Sequence, residues 1–139
     1  LDLWPQVTAS LLTVVSETVA EGRRQHLTEK TFKPICQQVP FVLVATQGAL
    51  AYLRSYGFRT FDSVWDESYD LEPDPSQRIA RIGQLLQELN ELDQPKRQRL
   101  YEQAIPIVQH NFNHFYGGGF EHILQKEMAE MICAISRND

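Results

Sequence analysis

Two cysteines in 139 residues are too few for a disulfide framework. Cys36 and Cys133 each fall among apolar neighbours on stretches with helical spacing, so both are expected to be inert small hydrophobes. A reducing, cytoplasmic setting fits that reading. No apolar run approaches the roughly 18–20 residues that cross a bilayer, so no membrane span is expected. Positive charge is also scarce. Thirteen Lys and Arg stand against eighteen Asp and Glu, a net charge of -5, which argues against a general nucleic-acid surface but leaves room for a local basic pocket. The opening Leu1-Asp2-Leu3-Trp4-Pro5 lacks the basic region and apolar core of a signal peptide. It also lacks an initiating Met, so a processed product or a piece of a longer chain is expected. Catalytic signatures are missing too: there is no G-x-S-x-G, no P-loop and no G-x-G-x-x-G. Gly117-Gly118-Gly119 follows a helical stretch rather than a strand and makes a poor phosphate loop.

What is present suits one domain. The length allows a real core but hardly two, and 42% hydrophobic with 22% charged residues is ordinary for a globular protein. We expect a single domain over 1–139, with a βαβ-type half-domain over about 9–73 and a helical tail over about 74–139.

The first half alternates strand and helix. Residues 9–18 read as a buried strand with Val14 and Val15 central. A basic loop follows, Glu21-Gly22-Arg23-Arg24-Gln25-His26. Residues 28–38 read as a short helix with Thr28 as N-cap, and Pro34 should kink it by removing a bond to the Lys30 carbonyl. Residues 41–46 read as a second strand. Continuous apolar runs of this kind suit a parallel sheet covered on both faces. Residues 48–56 read as a helix ending at Gly57, and Phe58-Arg59-Thr60-Phe61 as a short third strand. The stretch 62–75 reads as an ordered loop.

The second half reads as three helices. Asp74-Pro75-Ser76-Gln77 supplies a cap, a first-turn Pro and a Gln, and Ile79, Ile82, Leu86 and Leu89 mark an apolar face. A second helix starts near Pro95 and carries Leu100, Ala104, Ile107, Val108, Phe112 and Phe115, with a bend at Pro106. A third, from about Phe120 to Ser136, is expected to bury Ile123, Leu124, Met128, Met131 or Ile132, and Ile135.

Three constellations could carry chemistry. The first is the start of the 28–38 helix, where free backbone N–H groups and the helix dipole favour phosphate. Arg23, Arg24, His26, Lys30 and Lys33 could add charge, and Glu29 could accept bonds from ribose or sugar hydroxyls. The plain alternative is that Glu29 and Lys33 form an i,i+4 surface pair beside a solvated basic loop. The second is Trp65-Asp66-Glu67-Ser68-Tyr69-Asp70, four potential acceptors and two aromatics that could bind sugar hydroxyls or stack a ring. The alternative is a structural loop in which Asp66 or Asp70 caps a turn and Trp65 fills the core. The third is His110 and His114, an i,i+4 pair with zinc-like spacing but without the Glu of H-E-x-x-H. A polar helix end explains it better.

Taken together, Leu27-Thr28-Glu29-Lys30-Thr31-Phe32-Lys33-Pro34-Ile35 before Pro40-Phe41-Val42-Leu43-Val44, then Gly57-Phe58-Arg59-Thr60-Phe61 and the Asp66–Asp70 loop, resemble the donor-side lobe of GT-B glycosyltransferases. The likeness is to α-1,3-fucosyltransferase-like enzymes and related proteins of phages and marine bacteria, and it covers about residues 10–90. It implies an α/β fold, a small Rossmann-like parallel sheet of about three strands flanked by helices. It also implies a nucleotide-sugar site. Carried over, Glu29 binds ribose or sugar hydroxyls and Lys30 the diphosphate. Arg23, Arg24, Thr28, Lys33, Glu67, Tyr69 and Asp70 complete the expected site. No cofactor or metal is expected. The chain departs from the family in having no acceptor-side lobe before Leu1, so the expected partners are a nucleotide sugar and either a missing N-terminal lobe or further copies of the chain. The rival expectation, from length and the helical tail, is a non-catalytic interaction or oligomerisation module.

Overall fold

The computed structural model describes residues 11–17, 25 and 27–136. Within them the chain is α/β. Two short strands, β1 (Thr13–Ser16) and β2 (Phe41–Val44), pair in parallel with Thr13 opposite Phe41 and Ser16 opposite Val44. The ladder continues at both ends, where Thr13 N donates to Pro40 O at 2.8 Å and Glu17 N to Val44 O at 2.9 Å. Helix α1 (Glu29–Cys36) lies in the connection between the strands. Phe41, Val42 and Leu43 of β2 are all buried, as a strand covered on both faces requires. Val14 and Val15 are central in β1 as expected, but only Val15 is buried; Val14 is 47% exposed, contrary to the expectation of a buried strand. β1 borders β2 alone among the described residues.

Local chemistry explains the helix ends. The Thr28 hydroxyl caps α1 by accepting from Lys30 N. Pro34 sits inside the helix, which stops two residues later. There Gln38 takes φ +56, Gln38 N bonds Ile35 O and Val39 N bonds Pro34 O. These are the paired closing bonds of a Schellman motif, with Gln in the left-handed position that Gly usually takes. Helix α2 (Ala49–Ser55) begins at Gly48 and ends before Gly57, both at positive φ. A 3-10 turn (Ser68–Leu71) leads to α3 (Pro75–Asn90), where Asp74 accepts from Gln77 N at 2.9 Å and Pro75 occupies the first turn. Helix α4 (Gln94–Tyr116) is capped by Asp93 and passes through Pro106, and α5 (Gly119–Ser136) follows the glycines.

Packing corrects several expectations. The sheet has two strands among the described residues, not three. Residues 58–61 form no ladder. Their backbone is held by a side chain of α4, since Asn111 accepts from Arg59 N and donates to Arg59 O, both at 2.8 Å. The buried face of α3 is Arg78, Ile82, Leu85 and Leu89 rather than one including Ile79 and Leu86: Ile79 is exposed and Leu86 half-buried. That rotation brings the Arg78 guanidinium onto the carbonyls of Ala45 (3.0 Å) and Glu72 (2.6 Å). α3 packs on β2, α4 on α1, and α5 on α4. No residue of α5 is buried, so its expected core face is not part of the core. Cys133 on that helix is exposed, and Cys36 is half-buried. No helix among the described residues is long and apolar enough to cross a membrane.

Candidate functional site

In parallel αβ sheets ligands bind outside the carboxyl ends of the strands, where helices begin. Here that edge gathers Glu17 after β1, Thr46 and Gln47 after β2, and Thr28 to Lys30 at the start of α1. Glu17 organises it. Its carboxylate is buried, and Oε1 accepts from Thr28 N (3.0 Å) and Thr31 Oγ1 (2.5 Å) while Oε2 accepts from Thr28 Oγ1 (2.6 Å). The same Thr28 oxygen accepts from Lys30 N at 3.2 Å. The opening of α1 is therefore tied to the end of β1 by an internal carboxylate, as the helix dipole favours. Burial pushes the Glu17 carboxyl up, but the bonds from Thr28 and Thr31 and the nearby Lys30 outweigh it and hold the group below its ordinary value. Sequence reasoning missed Glu17. An acid directly after a strand was the only signal.

With the cap completed internally, Glu29, Lys30 and Lys33 have exposed side chains on α1. Across the edge, Gln25 donates from Nε2 to Gln47 O (2.6 Å) and accepts from Thr46 Oγ1 (3.3 Å). Arg23, Arg24 and His26 lie outside the described residues.

The second set of expected residues sits elsewhere. Glu67, Tyr69 and Asp70 are all buried. Glu67 Oε1 accepts from Phe61 N at 2.9 Å, and its Oε2 lies 3.8 Å from Arg54 Nη1, which also donates to Thr60 Oγ1 at 2.7 Å. Asp70 serves the start of α2: its Oδ1 accepts from Leu50 N (3.1 Å) and its carbonyl from Gly48 N (2.9 Å). Trp65 is buried and stacks on Phe61 with ring centroids 5.0 Å apart. Asp66 is exposed and accepts from Ser68 N. A polar cleft of about 230 Å³ lies between this loop and α3, lined by Asp66, Ser68, Tyr69, Arg81, Gln84 and neighbouring residues. Another, of about 330 Å³, is lined by Arg54, Arg59, Thr60, Asp62, Ile107 and others. Neither is lined by α1.

His110 and His114 close the end of α2. Their Nε2 atoms lie 3.0 Å from Gly57 O and 2.6 Å from Tyr56 O, so each ring donates an Nε2–H to a helix-end carbonyl.

The loop acids carry a pH signature. Burial raises the Glu67 carboxyl above its ordinary 4.5, against the bonds from Thr60 and Phe61. Burial likewise raises Asp70. A carboxyl raised in the folded state contributes its full stability below its unfolded pKa, and that contribution is lost as pH rises through the folded pKa. Glu67→Gln keeps an acceptor for Phe61 N and cannot ionise. Its stability in urea should therefore improve relative to the parent as pH is raised from about 4.5 towards 8. Parallel stability curves for the two proteins would count against a raised Glu67.

Comparison with protein-family models, with curated proteins and with solved structures found no match.

Proposed function

We propose that this chain is the nucleotide-sugar-binding lobe of a glycosyltransferase-like protein, with the diphosphate and sugar hydroxyls held at the start of α1. The observation that carries the reading is the exposure of Glu29 and Lys30 at the carboxyl edge of a parallel strand pair, on a helix whose first turn Glu17 and Thr28 already fix. A helix start fixed in this way presents its side chains to a ligand without reordering. In this reading Lys30 and Lys33, with Arg23 and Arg24, meet the diphosphate, and Glu29 meets ribose or sugar hydroxyls. The strand pair belongs to a larger Rossmann-like sheet, a partner lobe supplies the acceptor side, and the setting is cytoplasmic. Glu67 and Asp70 hold the 61–70 loop and the start of α2, and Tyr69 is buried between them in the chain.

The test is ligand-observed NMR with nucleoside diphosphates and nucleotide sugars. Selective binding of one nucleotide is expected, weakened about tenfold or more by Lys30→Ala, the size of one charge-assisted hydrogen bond. Unchanged affinity in both Glu29→Ala and Lys30→Ala would sink the reading. A second reading, a non-catalytic interaction or oligomerisation module, is favoured by the uncovered apolar residues of α5.

A further inference from the structure

The cleft of about 330 Å³ lies where the end of α2, residues 58–63 and α4 meet. Its volume is at the small end for small-molecule sites, which run upward from about 300 Å³. Buried Phe58 and Ile107 give it an apolar floor. Around them stand the guanidiniums of Arg54 and Arg59, the carboxylate of Asp62 and the hydroxyls of Thr60 and Ser63. Two cations against one anion make the cleft locally positive in a chain of net charge -5.

Both arginines are fixed by the fold while their donors stay open. Arg54 Nη1 donates to the buried Thr60 Oγ1 at 2.7 Å, whereas Glu67 Oε2, at 3.8 Å, is beyond hydrogen-bond reach. One N–H of the five therefore anchors the side chain. Arg59 is fixed through its backbone, which Asn111 holds at both N and O. Its guanidinium has no hydrogen bond or ion pair among the described residues. The other arginines there do: Arg78 on Ala45 O, Arg81 on Glu72, Arg97 on Asn90 O and Arg99 on Pro95 O. Donors fixed before binding lose little freedom when a ligand arrives.

The set of groups selects a ligand. Each guanidinium is a planar fork that matches the oxygens of a carboxylate or a phosphate. Two forks and the Ser63 hydroxyl offer more donors than a carboxylate's two oxygens suit, and the three terminal oxygens of a phosphate take them up. Asp62 repels a bare anion but accepts from a hydroxyl, so it favours a phosphate joined to a hydroxylated body. We infer that this cleft binds a small hydroxylated phosphomonoester of the sugar-phosphate kind, with Arg54, Arg59 and Ser63 on the phosphate and Asp62 on a hydroxyl. Helix α1 lines no part of the cleft, so the inference stands whether or not a nucleotide binds at α1.

Titration of the whole chain with glucose 6-phosphate, inorganic phosphate and glucose, followed by amide NMR, tests it. Glucose 6-phosphate should shift the Arg59, Thr60 and Ser63 amides, saturate at about millimolar concentration and bind about tenfold tighter than inorganic phosphate, with glucose inert. Arg59→Ala should weaken it about tenfold. That variant keeps the backbone bonds to Asn111 and, because the side chain is exposed, should keep its far-UV circular dichroism. Asp62→Asn should tighten inorganic phosphate and bring the two phosphates within about threefold of each other, a change of selectivity that a merely structural residue would not produce. Lys30→Ala should alter neither affinity. Shifts confined to residues 28–33 would put the anion at α1 and overturn the proposal. So would unmoved cleft amides at about 10 mM glucose 6-phosphate, equal affinity of the parent for both phosphates, or an Arg59→Ala protein that binds as well as the parent.

Discussion

Glu17→Ala is expected to destabilise the protein by about 3 kcal/mol, because it removes three hydrogen bonds to a buried carboxylate at once. Thr28 N, Thr28 Oγ1 and Thr31 Oγ1 lose their acceptor, and Thr31 is fully buried. Water can reach Thr28 more readily than Thr31, so the summed worth of three isolated bonds overstates the loss. Urea unfolding at pH 7 measures it, and amide exchange should show α1 opening first. Glu17→Gln should cost less, because an amide oxygen still serves Thr28 N and Thr31. The pH dependence separates the roles. The folded pKa of Glu17 lies below 4.5, so its stabilisation is present above that pH and disappears as pH falls through the folded value. Glu67 has the opposite sign. The parent should therefore lose its advantage over Glu17→Gln under acid. A Glu17→Ala protein within about half a kcal/mol of the parent would show that the carboxylate does not hold the strand to the helix.

How much of this was legible in the sequence depended on whether the signal was local. Thr28, Asp74 with Pro75, and Gly57 mark helix ends by chemistry within a few residues, and the ends lie there. Phe41 to Val44 announced itself as a buried strand by an unbroken apolar run. Relations between distant residues were not legible. The inward side chains of Phe58, Thr60 and Phe61 suit a strand edge, but any extended segment against a core shows the same pattern. Ile79 and Leu86 fit an apolar helix stripe better than Arg78 does, yet Arg78 and Leu85 are the buried pair. What turned α3 was a guanidinium reaching the Ala45 carbonyl 33 positions away.

The same limit governs the site. A carboxylate reads alike in sequence whether it meets a ligand, caps a helix, or holds a loop. Asp70 stands at the start of α2 and Glu67 on the Phe61 amide, whereas Glu29 faces outward. Helix α5 shows the converse. Its apolar stripe was plain in the sequence, but periodicity specifies that a face is to be covered and not what covers it.

Asn111→Ala should cost about 2–3 kcal/mol, since it strips both partners from the backbone of Arg59 in one step. Asn111 is 1% exposed on α4, and its amide gives and takes one hydrogen bond each with that residue. A neighbouring strand would exchange the same pair, so the side chain does the work of a strand for residues 58–61. Phe58 and Phe61 on either side depend on this anchor for their places in the core, which makes the loss cooperative. Alanine also leaves a void beside a packed helix, and the cavity adds to the lost bonds. Asn111→Asp distinguishes anchoring from volume. It fills the same space and keeps an acceptor for Arg59 N, but it has no donor for Arg59 O and sets a negative charge against that carbonyl. At neutral pH it should be at least as damaging as alanine, and milder once acid supplies the missing proton. Urea unfolding of both variants measures the cost. Faster exchange of the Arg59 amide, ahead of global unfolding, would locate it in the 58–61 segment. If Asn111→Asp matched the parent at pH 7 while Asn111→Ala fell, packing rather than the paired hydrogen bonds would be what holds residues 58–61 against α4.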